Sequence, residues 1–306
     1  VKGSGFTLQN LNADFDGKIH SLWFSGYNYK NITLNGTFVR NLFTGKLDID
    51  DPNLKINNLT GSVSLLGDTS KFNFDADLQY ANLYQLNISK QKFSLSGLLN
   101  LNFVGNNIDN FLGTAKMYNA TLLNDSARLS FDSLSLTSYI EAGNKILKIE
   151  TNEMEGNITG RFKILELPGA FNVFLNRYYP SYFNKPAYDI GDQDFSFYIK
   201  TKQVDEYVRL LDNRLKGFDN SVFSGTLKMA KNEFNLKAIV PEFVFDGKKF
   251  ENIDLAATGN LDSLNTNISV SEIAISDSLR FPNTKLVFSS SNDISNISLS
   301  TSASQT

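Results

Sequence analysis

The side chains in this chain that could do chemistry are few and poorly grouped for it. The single histidine, His20, stands between Ile19 and Ser21 in a segment with strand-like alternation, and a His-based triad or a multi-His metal site would need partners that the sequence does not supply. The absence of cysteine removes disulfides, thiolate metal sites and cysteine nucleophiles together. Acidic pairs come next, because two carboxylates suffice for glycoside hydrolysis. Asp48, Asp50 and Asp51 run into Pro52-Asn53 as a strand closing in an Asp-Pro-Asn turn, and Asp75 and Asp77 alternate with apolar residues. Both sets read as carboxylates on a solvated strand face, where charge also guards an exposed edge. Asp189, Asp192 and Asp194 around Gly191 are spaced like part of a calcium loop, but the ligand order, trailing glutamate and flanking helices of an EF-hand are missing. The segment reads as a loop leading into a strand. The chain is expected to have no catalytic residues, metal ligands or cofactor, and not to be an enzyme.

What dominates instead is alternation. Phe72, Phe74, Ala76, Leu78 and Tyr80 are separated by single polar residues, as are Phe93, Leu95 and Gly97, then Leu99, Leu101 and Phe103. A period of two places these side chains on one face of a strand and the Asn, Ser and Asp between them on the other. The pattern returns at Leu47 and Ile49, Leu129 and Phe131, Phe195 and Phe197, Phe234 and Leu236, Ile268 and Val270, and Ile297 and Leu299. The expected architecture is mainly β: a long curled antiparallel sheet of irregular repeats, a β-groove or half-pipe, with a short helical insertion. The expected groove lining is Phe72, Phe74, Leu78, Phe93, Leu95, Leu99, Leu101, Phe103, Leu129, Phe131, Phe195, Phe197, Phe234, Leu236, Ile268 and Val270.

Bulk composition narrows the function classes. Phe 25 and Tyr 12 against Met 3 make the apolar face bulky and stiff, in strand-forming residues. The 29 basic and 32 acidic residues are scattered, so the clustered Lys and Arg of a nucleic-acid surface are missing. No stretch approaches the roughly 18 to 20 apolar residues of a membrane span. The chain opens on Val1 and both ends still alternate, so both read as cuts through a longer repetitive protein.

Turn signals punctuate the strands. Asp16-Gly17, Asn35-Gly36, Gly67-Asp68, Gly105-Asn106, Gly143-Asn144, Asp246-Gly247 and Gly259-Asn260 are candidate hairpin turns, because Gly and Asn accept positive φ cheaply. Lys30-Asn31-Ile32-Thr33-Leu34 resembles Glu251-Asn252-Ile253-Asp254-Leu255 with no fixed period between such units. The pattern breaks twice. Phe171, Phe174, Leu175, Tyr178 and Tyr182 fall at helical spacing after Pro168, with Pro180 kinking or ending the helix. Val204, Tyr207, Val208, Leu211 and Leu215 form one face of a second helix that Gly217 stops. A strand, residues 195–200, lies between them. The expected division is groove repeats over residues 1–165, a helical insertion with one strand over 166–218, and groove repeats over 219–306. Phe171, Phe174, Leu175, Val204, Tyr207, Val208, Leu211 and Leu215 are expected to plug or cap the groove. Asn-x-Ser/Thr at Asn31, Asn58 and Asn119, among others, and Asp-Ser-apolar at Ser133, Ser263 and Ser278 are glycosylation-like patterns that turn chemistry also produces.

Residues 26–38, Gly-Tyr-Asn-Tyr-Lys-Asn-Ile-Thr-Leu-Asn-Gly-Thr-Phe, followed by residues 43–54 closing in Asp51-Pro52-Asn53-Leu54, resemble members of the AsmA/TamB family. Residues 72–86, 165–170 and the helical insertion resemble the middle of a TamB-like chain, so the likeness covers most of the sequence. It implies a segment of a long periplasmic protein, anchored in the inner membrane of a Gram-negative envelope and reaching toward an outer-membrane barrel of the TamA type. It also implies a bridge-like lipid transfer function, with phospholipids as cargo in an apolar β-groove, supporting outer-membrane biogenesis. Two readings stand beside it: an assembly factor that guides outer-membrane β-barrel proteins through exposed strand edges, and a closed β-sandwich with a structural or adhesive role.

Overall fold

The computed structural model describes residues 2–5, 7, 9–24, 26–64, 69–89, 92–105, 109–124 and 128–302, without the side chains of Leu210 and Leu211. The fold is mainly β, a single 19-stranded antiparallel sheet that is not closed into a barrel. The first strands are β1 (Lys2–Ser4), β2 (Asn12–Phe24), β3 (Tyr27–Val39), β4 (Leu42–Asp51), β5 (Leu54–Ser64), β6 (Lys71–Asn82), β7 (Ser94–Val104), β8 (Leu112–Leu123) and β9 (Arg128–Glu141). There follow β10 (Asn144–Thr151), β11 (Met154–Arg161), helix α1 (Leu167–Leu175), β12 (Asp194–Thr201), helix α2 (Asp205–Leu211) and β13 (Leu215–Gly217). The last are β14 (Val222–Lys228), β15 (Glu233–Phe245), β16 (Lys248–Gly259), β17 (Leu264–Ala274), β18 (Arg280–Ser291) and β19 (Ile294–Ser300).

Contacts divide the chain into two compact units, Val1–Ser138 with Glu150–Asn152, and Tyr139–Ile149 with Glu153–Thr306. In the first unit each strand pairs with the next in sequence. In the second, β11, β12 and β14 to β19 do the same, and β13 lies in line with β14 along β15. Directly opposed residues of antiparallel strands share a face, so the registers carry one apolar face across each unit. One such row in the first unit runs Ala13, Phe38, Phe43, Val63, Phe72, Phe103.

The alternation is interrupted inside strands by asparagines with positive φ. Asn31, Asn58, Asn119, Asn252 and Asn283 have φ of 52, 52, 48, 48 and 47° within β3, β5, β8, β16 and β18. Asparagine tolerates this left-handed conformation because its short side chain hydrogen-bonds locally. Three of those amides show how. Asn31 Nδ2 donates to Asp50 O at 3.1 Å, Asn252 Nδ2 to Ser271 Oγ at 3.0 Å and Asn283 Nδ2 to Ser302 Oγ at 3.0 Å, each partner 19 residues further on. The two serines return a bond to the carbonyl just before the asparagine, Ser271 to Glu251 and Ser302 to Pro282. The likeness between residues 30–34 and 251–255 is therefore a repeated backbone device with a fixed reach inside each hairpin.

Several expected turns are placed differently. Asp16-Gly17 and Asn35-Gly36 lie inside β2 and β3, where Asp16 opposes Asn35 and Gly36 opposes Gly45. Gly36 is there for space: a Cβ would sit 2.5 Å from Thr44 O and 3.0 Å from the Phe43 ring. The tight turns are Arg40-Asn41, Ala142-Gly143, Asp246-Gly247 and Asn292-Asp293, each with two successive positive φ values, the geometry that matches strand twist. Gly259-Asn260 ends β16, and Asn260 Oδ1 accepts from Asp262 N and Ser263 N to shape the following turn. Gly67-Asp68 and Asn106 lie outside the described residues.

Asp51 corrects the reading of that carboxylate as solvated. It is 5% exposed and accepts from Tyr27 Oη at 2.6 Å, Lys30 N at 2.9 Å and Asn53 N at 2.8 Å, while Asn53 Nδ2 donates to Tyr27 Oη. Burial and the Asp51 bond together push the Tyr27 phenol above its ordinary value. The aromatic, lysine and Asp-Pro-Asn positions of the repeated phrase thus form one hydrogen-bonded knot.

If positive φ is what selects asparagine, Asn252→Gly should cost little and Asn252→Ala about 1–2 kcal/mol. Urea unfolding of both variants tests this, and equal losses would assign the effect to the Ser271 bond instead.

Candidate functional site

In the first unit Phe72, Phe74, Leu78, Leu95, Leu99, Leu101 and Phe103 fall on one face, through the registers Phe72–Phe103, Phe74–Leu101, Ala76–Leu99 and Ala81–Leu95. The rings of Phe72 and Phe103 stack at 4.8 Å, and Phe111 lies 5.1 Å beyond Phe103. Leu129 and Phe131 reach the same face opposite Leu122 and Ala120 and are buried. Phe93 precedes β7 and lines a separate pocket with Tyr80, Tyr84 and Leu123.

Most of the face is half-buried. Phe43, Leu47, Leu59, Val63, Phe72, Phe74 and Phe103 surround an open cavity of about 280 Å³, with Gly61 and Ser62 completing its lining among the described residues. Of these, Phe43, Leu59 and Val63 come from strand segments whose alternation is shorter or interrupted, which hid them from a period-two reading, whereas Leu47 was part of that alternation but not of the expected lining. Glycines thin the floor beside the cavity. Gly36, Gly45 and Gly61 are aligned across β3, β4 and β5, and the Phe43 ring occupies the space that side chains at Gly36 and Gly45 would take. One end is closed by the connection between β6 and β7, residues 83–89. Leu86 is 3% exposed within the cluster of Ile32, Ile49, Ile56 and Leu78, and Asn87 Nδ2 donates to Gly26 O at 3.1 Å. The sequence carried no signal for this strap beyond two leucines.

In the second unit α1 covers part of the corresponding face. Phe171 meets Phe195 and Phe234 edge-on at 6.2 and 6.4 Å, and Phe174 lies 5.0 Å from Phe234 and 5.2 Å from Tyr178. Phe195, Phe197, Phe234, Leu236, Phe171, Phe174 and Leu175 belong to one core with Leu227 and Ala257. Gly259 makes room for this helix, since a Cβ there would lie 2.6 Å from Phe174 Cζ. Beyond α1, Tyr178 Oη donates to Asn260 O, Tyr179 Oη pairs with Ser290 Oγ, and Ser181 Oγ donates to Asp293. At the other end of the helix, buried Gln193 accepts from Lys163 N and donates to Glu166 Oε2, which also accepts from Gly191 N.

Ile268 and Val270 lie outside this cover, in a cluster with Ala238, Val240 and Ile253. Beside them Phe243 and Phe250 stack at 4.5 Å, and Phe250, Ile273, Phe281 and Leu299 border a second open cavity of about 310 Å³. The second helix is shorter than its periodicity predicts. Asp212 Oδ1 accepts from Arg214 N at 2.9 Å and turns the chain, its carboxyl held down at about 2 by the Arg214 guanidinium. Leu215 then enters β13. Val204 is buried at the β12–α2 junction, where its N–H donates to Asp219; Tyr207 and Val208 are half-buried. Val204, Tyr207, Val208 and Leu215 are not among the described residues of the core beneath α1. The Leu211 side chain lies outside the described residues.

The polar candidates sit apart from both faces. His20 is exposed on β2, Asp75 accepts from Asn100 on the solvated side, and Asp192 and Asp194 both approach Arg161, at 3.1 and 3.7 Å. Among the described residues no group of His, Asp and Glu has the arrangement to hold a metal ion. What the apolar faces offer is desolvation and non-directional dispersion contact. No family model, no curated protein and no solved structure matches this chain.

The Glu166 clasp gives α1 a pH dependence. Its carboxyl is lowered from 4.5, chiefly by the hydrogen bond from Lys163. The stabilisation is therefore complete above the ordinary glutamate value and is lost as pH falls through the lowered one. Protection factors of α1 amides should fall more than those of β12 as pH is lowered from neutral through the ordinary glutamate value and below it. Glu166→Gln should flatten that difference; an unchanged difference would remove the clasp as its cause.

Proposed function

We propose that the apolar face of the first unit is a groove for phospholipid acyl chains, and that the chain is a TamB-like segment of a periplasmic lipid bridge. In that reading it belongs to a protein anchored in the inner membrane and directed toward a TamA-type outer-membrane barrel, supporting outer-membrane biogenesis. The observation that carries the proposal is the open cavity ringed by Phe43, Leu47, Leu59, Val63, Phe72, Phe74 and Phe103, in a unit to which neither helix belongs. Acyl tails cross an aqueous space only under apolar cover. A row of near-equivalent Phe and Leu side chains lets them slide, because dispersion contacts have no preferred direction. The alternating Asn, Asp and Ser on the opposite side keep the same strands wetted.

A second reading draws on β19. Every residue of that strand is exposed, with Ile294, Ile297 and Leu299 between 61 and 69%, and an exposed apolar strand is a template for β-augmentation wherever its edge is unpaired. It would make the chain an assembly factor for outer-membrane β-barrel proteins. The sandwich reading is the weakest, because the strands belong to a single sheet.

Mass spectrometry of lipids that co-purify with the chain separates these. The groove reading expects bound phospholipid, displaced by Phe74→Asp or Leu101→Arg with the far-ultraviolet circular dichroism retained. A native chain free of lipid, together with variants that simply unfold, would reject it. Binding of unfolded barrel segments without retained lipid would favour the β19 reading.

A further inference from the structure

The β2–β3 hairpin carries an apolar tip that neither core uses. Trp23, the only tryptophan in the chain, is 71% exposed, with Phe24 at 65% and Leu22 at 46%. Beside the tip the 83–89 strap adds Ile88, 67% exposed, and the two elements are joined by the bond from Asn87 Nδ2 to Gly26 O. We propose that this tip, with the strap beside it, inserts into the headgroup region of an anionic lipid bilayer.

Two features select that occupant. The first is that the apolar residues are consecutive. Leu22 opposes Tyr29 and Phe24 opposes Tyr27, whereas Trp23 opposes Asn28. Opposed residues share a face, so Leu22 and Phe24 project from the side that carries the tyrosines and Trp23 from the other. A protein surface docking against one side of the ribbon would leave the other side's apolar residue in water. A bilayer interface surrounds the tip and takes both, and tryptophan and tyrosine suit that boundary, where one end of a ring is apolar and the other wet.

The second feature is charge. Residues 17–30 contain Lys18 and Lys30 and no carboxylate, and the described part of the β6–β7 connection adds Lys92 and no carboxylate. The neighbouring acids are fewer than the lysines. Asp51 lies beneath Tyr27, hydrogen-bonded to it and to two backbone N–H groups, and Asp50 lies 3.6 Å from Lys55. An apolar tip flanked by cations is the pattern that binds anionic interfaces by combined burial and attraction.

The test uses the 306-residue chain and vesicles of phosphatidylcholine with or without phosphatidylglycerol. Flotation should be stronger with phosphatidylglycerol and should weaken as salt rises. The emission of Trp23 should shift to shorter wavelength on binding and be quenched by brominated acyl chains. Trp23→Ser combined with Phe24→Ser should lower the partition by roughly 10- to 100-fold with the unfolding midpoint unchanged, because both side chains are exposed. Equal flotation on both vesicle types, flotation unaffected by the double substitution, or a Trp23 emission already short in wavelength through self-association would each overturn the proposal. None of these readouts depends on lipid held in the groove, so this proposal and the groove reading fail separately.

Discussion

The apolar face depends on a backbone constraint, the left-handed asparagine inside a strand. In a plain strand, residues three apart point to opposite sides. Here Tyr29 and Ile32, Ile56 and Leu59, Met117 and Ala120, Phe250 and Ile253, and Phe281 and Thr284 are three apart, each pair with its asparagine just before the second member. In the first two pairs both members join one core cluster, as do Phe250 and Ile253 in another, while Phe281 and Thr284 share one cavity. Without the local irregularity everything beyond the asparagine would turn its apolar set to water, as a one-residue slip does. Bulged positions also bend a strand and increase its twist. The asparagine amides and the serines 19 residues on therefore help hold a change of phase in the alternation.

This explains what the sequence discloses and what it conceals. The alternations of Phe72 to Tyr80 and of Leu95 to Phe103 read directly as paired strands, and the register places them so. Asn35-Gly36 misled because the same dipeptide that makes a tight turn also serves where a neighbouring strand and a phenylalanine ring leave no room for a Cβ. Arg40-Asn41 and Asn292-Asp293 were invisible as turns because neither contains glycine. The Asp51 knot was concealed for another reason: a carboxylate at a strand end looks solvated until its donors, from β3 and from its own turn, are seen to converge on it. Helix α2 shows a local contest, in which the periodicity of Val204 to Leu215 favours a longer helix and the Asp212–Arg214 turn ends it.

The two units cover apolar surface by different means. In the second, α1 lays Phe171 and Phe174 over Phe195 and Phe234, and the Tyr178 and Ser181 hydroxyls fasten the segment after it to the turns at Asn260 and Asp293. In the first, among the described residues, the 83–89 strap folds across one end, and the Phe43 ring lies over Gly36 and Gly45. A ring over glycines fills a surface without adding a layer. The result is a face that stays apolar and accessible while the strands beneath it keep their hydrogen bonds.

Nearly every strand pairs with the one just before or after it in sequence, and this bears on how such a chain can change length. Stability in a meander of this kind is close to a sum of hairpins and their nearest neighbours, as in other linear repeats. A hairpin with its own asparagine, its own partner 19 residues away and its own tight turn carries the instructions for its register with it. Such a unit can be duplicated or lost with the disturbance confined to the strands on either side, so the reach of the sheet can evolve without redesign of its core.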